Sequence, residues 1–168
     1  MNFYKFNGTN VGDIVDYIKR YLDEHEGEYV LMIGVDSLPH GFIKKKATFT
    51  QVVALHRKIN GIGKGAHCLF RRQAKIQTRG TRDRLLKEAY QLVEVAQYLR
   101  DSDIEFDSRI LKVDLQLDFN KEKPHESEKY LDEAAGYVRA MGFEVNVKPD
   151  APAASYAADF VCRYKNEK

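Results

Sequence analysis

The feature that most constrains this chain is an unbroken apolar run, Tyr29-Val-Leu-Met-Ile-Gly-Val35, followed at once by Asp36 and Ser37. A run without polar alternation fits a strand buried on both faces, at the centre of a sheet sandwiched by helices. It also sets a carboxylate at the end of the most hydrophobic strand. A turn-forming Asp and a functional Asp are equally compatible with that position.

The remaining pattern fills in an α/β domain. Val11 to Asp23 carries Ile14, Val15, Ile18, Tyr21 and Leu22 at helical spacing. Ala47 to Arg57 and Ala66 to Gln77 read as strands, joined across the glycine-rich Gly61-Ile-Gly-Lys-Gly65 as a hairpin. Gly80-Thr81 opens a long helix to about Asp101. Arg109 to Phe119 alternates Val113, Leu115, Leu117 and Phe119 with Asp114, Gln116 and Asp118, a strand with one apolar face. After a polar loop, Lys121 to His125, a helix runs from Glu126 to Met141 and is capped by Gly142. A short strand, Phe143 to Val147, and a last helix, Ala153 to Tyr164 behind Pro152, complete the chain. Strands joined by turns should form an antiparallel meander, and strands reached through helices should pair in parallel. The expectation is one domain over 1–168: a mixed five-stranded sheet, three antiparallel strands and then parallel ones, flanked by helices. Residues 1–28 form an N-terminal helical extension.

Charge is unevenly spread. The formal net charge of the 168 residues is only +2, yet Gly41 to Lys87 holds thirteen basic residues and one acid, Asp83. That segment carries +12 and the remainder −10, an asymmetry that points to a polyanionic partner. The start of the chain does not read as a signal peptide, and no segment approaches the ~20 apolar residues that span a bilayer. Cys68 and Cys162 are too few for a disulfide framework or a zinc cluster. A reducing, cytoplasmic setting is expected. The five histidines show no metal-ligand spacing.

Besides Asp36, three acids sit in unusual settings. Glu88 lies at the margin of the apolar stripe of Leu85, Leu92, Val95 and Leu99, as either a salt-bridging rim residue or a site ligand. Asp118 and Asp114 share a strand face about 13 Å apart. Paired catalytic metals lie only about 4 Å apart, so the two acids cannot be equivalent ligands of one cluster. Asp118 is preferred, because ligand sites gather beyond the carboxyl ends of parallel strands. Asp159 lies in a helix of small residues able to approach the sheet closely, with Asp150 as its competitor at the helix start.

In order, these are an Asp at the end of the first core strand, a Glu on the first crossover helix, an Asp at the end of the fourth strand and an Asp on the last helix. The arrangement resembles the ribonuclease H-like superfamily, and more closely its small YkuK family. The match rests on Ile33-Gly-Val-Asp-Ser37, Phe70-Arg-Arg72, Arg82-Asp-Arg-Leu-Leu-Lys-Glu88, Val113-Asp-Leu-Gln-Leu-Asp118, Met141-Gly-Phe143, and Val147-Lys-Pro-Asp150 followed by Ala153-Ala-Ser155 and Ala158-Asp159. It spans about Tyr29 to Lys165. Asp36 is followed directly by Ser37, where ribonuclease H commonly has Asp-Gly-Ser, and Asp150 to Ser155 holds no His.

The resemblance implies a metal-dependent nuclease acting through two Mg²⁺ or Mn²⁺ ions. Asp36 would bridge both ions, Asp159 would hold the nucleophile-side ion, and Glu88 and Asp118 the leaving-group-side ion. Arg71, Arg72, Lys75, Arg79 and Arg82 are the candidate contacts to nucleic-acid phosphates. The alternative is a catalytically inactive nucleic-acid-binding module of the same fold. A sugar-kinase or actin-like ATPase is set aside, because the chain lacks a second such domain.

Overall fold

The computed structural model describes residues 1–40, 45–118, 128–147 and 151–164. Among them, seven strands form one sheet: β1 (Asn2–Lys5), β2 (Asn10–Asp13), β3 (Glu28–His40), β4 (Lys46–Ile59), β5 (Ile62–Gln77), β6 (Ile110–Leu117) and β7 (Val145–Val147). Their spatial order is β2-β1-β5-β4-β3-β6-β7. β3, β4 and β5 form the antiparallel meander, and β6 and β7 are parallel to β3. The apolar run therefore lies centrally, hydrogen-bonded on both edges.

Side-chain alternation along β3 divides the core. Tyr29, Leu31, Ile33 and Val35 point to the face covered by helices α1 (Ile14–Glu24), α2 (Thr81–Arg100) and α3 (Glu128–Ala140). All four are fully buried, at about 1.5–3 kcal/mol apiece relative to exposure. The opposite face is covered by the C-terminal helix. This begins with a π-helical stretch, Ala153–Ala158, and continues as α4 (Asp159–Tyr164). Its Ala158 and Val161 pack on Val52, Ala54 and Phe70.

Several expectations change. The N-terminal region is not purely helical: β1 and β2 form a hairpin that joins the sheet through Tyr4↔Phe70 and Lys5↔Leu69, giving seven strands rather than five. Four-residue strands carry too little periodicity to read. α1 starts at Ile14 rather than Val11, because Asp13 caps it, its Oδ1 accepting the Val15 N–H at 2.9 Å. The Tyr98 hydroxyl donates to the same carboxylate at 2.5 Å and ties α2 to the extension. The hairpin between β4 and β5 turns on two residues, Asn60-Gly61, both at positive φ (51° and 77°), and Gly63 and Gly65 lie inside β5. That is the primed turn for which Asn-Gly is the preferred pair.

β3 also runs on past Asp36, through Pro39 to His40, still paired with β4. Its pairing with β6 stops at Val35↔Leu117. Gly142 caps α3 as expected, at φ 79°, with its N–H on the Arg139 carbonyl. The helix itself ends at Ala140. Phe119, the loop 121–125 and Asp150 lie outside the described residues. Among those that are described, no helix is long and apolar enough to cross a membrane.

A buried polar chain fixes the C-terminal helix to the sheet. The Gln116 amide donates to Asp114 Oδ2 at 2.7 Å, and its carbonyl oxygen accepts the Ala153 N–H at 2.6 Å. Asn146 Nδ2 donates to Asp114 Oδ1 at 2.5 Å. Gln116 is fully buried, so nothing else can satisfy these groups. We expect Gln116→Leu to lower unfolding free energy in urea by about 2 kcal/mol. Amide hydrogen exchange should accelerate across 151–161 before it does in β3.

Candidate active site

Asp36 sits where β3 loses one neighbour and keeps the other. β6 ends beside Val35, and Asp118 follows its last residue directly. Asp36 itself stays paired with Thr50 of β4. The two carboxylates thus meet at the carboxyl end of the parallel pair, beyond which the sheet opens. Asp36 is even-numbered on a strand whose odd residues face α1–α3, so it lies on the side of the C-terminal helix. Asp159, in the first turn of α4, comes from there.

Ser37 projects the other way, toward α2. Its hydroxyl donates to Glu88 Oε1 at 2.5 Å. Arg84, one turn before Glu88, reaches the Ser37 hydroxyl at 2.7 Å, the Ser37 carbonyl at 3.2 Å and Glu88 Oε1 at 3.0 Å. Glu88 is 1% exposed, so it is a buried acid and not the marginal residue its helical position predicts. Neither Ser37 nor Arg84 was marked by sequence as a site residue. The i,i+4 spacing of Arg84 and Glu88 was the available signal.

These acids feel one another. Burial, then the Asp118 charge, then that of Asp159 push Asp36 up to about 7, although the Ser37 backbone N–H and Arg84 pull it down. Burial and the Asp36 charge hold Glu88 well above the usual carboxylate range, with Arg84 and the Ser37 hydroxyl opposing and Asp118 adding to the rise. Asp36, Glu88, Asp118 and Asp159 therefore occupy one electrostatic neighbourhood, with Arg84 as the cation that acts on both Asp36 and Glu88. As placed, no three His, Cys, Asp or Glu side chains among the described residues form a group that could hold a metal ion. Asp114 is engaged elsewhere, by Gln116, Asn146 and Lys112.

The predicted cationic contacts divide. Arg82 is committed to Glu133 on α3 through a two-pronged ion pair, and Arg71 lies 3.6 Å from Glu94. Arg79 is exposed, its backbone N–H on Asp83. Arg72 and Lys75 line a cavity of about 450 Å³ with His40, Lys46, Thr48 and Ala74. Among the described residues its lining holds three cations and no acid. Register puts it beside the carboxylates: Asp36 pairs with Thr50, Thr50 with Arg72, Leu38 with Thr48 and His40 with Lys46. All the even-numbered members of these rows share the Asp36 face. Lys75 sits at φ 58°, next to a register shift opposite Ala47 and Phe49. Phe70, a conceivable base-stacking residue, is 5% exposed and packs between Tyr4 and Phe6.

The family of proteins described as ribonuclease H-like matches residues 11–163 of this sequence. The chain belongs to the ribonuclease H-like YkuK family. In this ribonuclease H-like protein β5-β4-β3-β6-β7 lie side by side, and the hairpin β1–β2 is laid on the β5 edge. No curated protein and no solved structure matches the chain.

The raised carboxyl group of Asp36 has a direct consequence for stability. In the unfolded chain it titrates near 3.8, and in the folded protein at about 7. Between those values the folded protein holds a proton that the unfolded chain releases. The stabilisation from that proton is complete below about pH 4 and is lost as pH rises through about 7. Glu88 acts in the same direction. In the presence of chelator we expect Asp36→Asn to raise the melting temperature by a few degrees above about pH 7. The same variant should flatten the pH dependence of thermal melts between about pH 4 and 7.

Proposed function

We propose that this ribonuclease H-like protein is a metal-dependent nuclease hydrolysing phosphodiester bonds of nucleic acid. The observation that carries the reading is the buried Asp36 carboxyl, raised by burial, Asp118 and Asp159, on the same sheet face as a cavity lined by Lys46, Arg72 and Lys75. The donors are carboxylate oxygens alone, the set that hard divalent ions such as Mg²⁺ or Mn²⁺ prefer. Asp36, Glu88, Asp118 and Asp159 would hold the ions, which when bound would supply activation of water and neutralise the leaving oxygen. A bound cation would relieve the repulsion that Asp118 and Asp159 exert on Asp36.

The other residues position and bind. The Ser37 hydroxyl and Arg84 orient Glu88. Arg72, Lys75, Lys46 and His40 would engage the phosphates of a strand running from Asp36 along β3. The Asp36 row and the His40 row lie about 13 Å apart along the strand. A second reading, a nucleic-acid-binding module without turnover, is favoured by the lack of a three-acid metal group among the described residues.

Metal separates the two readings. We expect millimolar Mn²⁺ to raise the melting temperature and Asp36→Asn to abolish the rise. We also expect cleavage in a screen of single strands, duplexes, RNA–DNA hybrids and branched junctions, absent with Asp36→Asn. No thermal shift and no cleavage would leave the binding module.

Binding alone is measured in chelator. There Arg72→Ala with Lys75→Ala should weaken binding to the best substrate about tenfold and reduce its salt dependence by about two phosphate contacts. Arg82→Ala, which removes a cation already paired with Glu133, should change it far less.

A further inference from the structure

A second cleft lies on the opposite face and toward the other end of the sheet. It is lined by Lys5 of β1, Tyr17, Arg20, Tyr21, Glu24 and His25 of α1, and His67 of β5, and has a volume of about 400 Å³. His67 pairs with Leu55 of β4, five residues along that strand from Thr50, the partner of Asp36. That is about 17 Å along the strands. His67 is odd-numbered on β5, on the side of α1, whereas Arg72 and its cavity lie on the side of the C-terminal helix.

Its contents are aromatic and cationic. The Tyr21 ring stacks on His25 at 4.1 Å and on His67 at 4.5 Å, with interplanar angles of 15° and 12°. Tyr17 stacks on His67 at 5.7 Å and shares a hydrogen bond of 2.9 Å with its Nε2. His25 is held by its Nδ1–H on the Tyr21 carbonyl. Lys5 Nζ lies 5.5 Å from the centroid of the Tyr17 ring, and the Arg20 guanidinium 5.9 Å from it. Among the described residues neither cation forms an ion pair, whereas Arg71, Arg82, Arg84, Arg100 and Arg109 all do. Glu24 is the one acid in the lining. The excess positive field is felt by His67, which is held below its ordinary value by burial, then by Lys5 and His25.

A packed ring stack alone would account for the seating of α1 on β5. It does not account for two cations gathered over one ring of that stack, beside a cavity within the size range of small-ligand sites, roughly 300–1,000 Å³. Planar faces extend by stacking a further ring, and cations not neutralised by carboxylates are available to an anion. A ligand combining a flat heteroaromatic ring with a phosphate meets both demands. We propose that this cleft binds a nucleotide unit, its base against the Tyr17–Tyr21–His25–His67 rings and its phosphate held by Lys5 and Arg20. The unit is either a free nucleotide or the end of a strand. The site is independent of the carboxylates and works without metal.

The test is an NMR titration of the whole protein in chelator, reading the ring protons of Tyr17, Tyr21, His25 and His67. The probes are adenosine 5′-monophosphate, adenosine, inorganic phosphate, and a short single-stranded oligonucleotide with or without a 5′-phosphate. We expect saturable shifts with the monophosphate at millimolar concentration or below, and weaker binding of adenosine and of phosphate. The exposed Arg20→Ala should weaken binding about tenfold, as should Lys5→Ala, while Arg20→Lys retains most of it. Tighter binding of the 5′-phosphorylated oligonucleotide than of the monophosphate identifies a strand end as the ligand, and the reverse identifies a free nucleotide. Asp36→Asn should leave these shifts unchanged. No shift of the ring protons with the monophosphate or the oligonucleotide overturns the proposal. So do equal affinities for phosphate and monophosphate, or affinity unaltered in both Arg20→Ala and Lys5→Ala with the fold intact by circular dichroism.

Discussion

The central strand has two neighbours of unequal length, and the candidate active site depends on that inequality. β3 is hydrogen-bonded to β4 over its whole span and to β6 only as far as Val35. Residues up to Val35 must be apolar, because they are covered on both faces and paired on both edges. At Asp36 one edge is released, and polar side chains become tolerable while the surrounding helices still exclude much of the water. Asp118 occupies the equivalent position one strand over. The sheet thus creates a half-dry opening lined by strand ends, and α2 and α4 each bring one more acid to it.

That opening carries an electrostatic cost. Burial and the neighbouring carboxylates raise the proton affinity of Asp36 and Glu88, and Arg84 opposes the rise at both. Arg84 and the Ser37 hydroxyl both reach Glu88. Asp36 receives the Ser37 backbone N–H and part of the Arg84 field. Apolar or amide residues of similar volume would be more stable at these positions. The arrangement therefore costs folding stability, which is common at sites whose function needs the charge. The Gln116–Asp114–Asn146 chain offsets part of that cost by anchoring the helix that carries Asp159.

What could be read from the sequence follows from the range of the interactions involved. Tyr29–Val35 announces a central strand because its burial is written in consecutive residues. The alternation from Val113 to Leu117 and the Asn60-Gly61 turn are equally local. The acids at Asp36 and Asp118 were legible because strand ends are legible. The burial of Glu88 was not, since it depends on Ser37, fifty-one residues away, turning toward α2. The hairpin of β1 and β2 was missed because each strand is too short for a period to appear. The partners of Arg82 and Arg71 were hidden for the same reason as Glu88: Glu133 lies on another helix, and Glu94 of α2 meets Arg71 of β5 only in the folded chain.

Charge segregation in this chain is consequently three-dimensional rather than linear. The +12 segment does not form one cationic surface. Part of it is neutralised by acids from the negative remainder, as at Arg82–Glu133 and Arg71–Glu94. Part, at Arg72, Lys75 and Lys46, lines one cavity with His40 and Thr48. Lys5 and Arg20 lie outside the segment altogether, yet they meet over Tyr17 because β1 is hydrogen-bonded to β5 and α1 packs across it. A charge count along the sequence therefore overstates the basic hairpin and overlooks the N-terminal cleft. Place in the fold, not abundance along the chain, decides which cations gather where a phosphate could reach them.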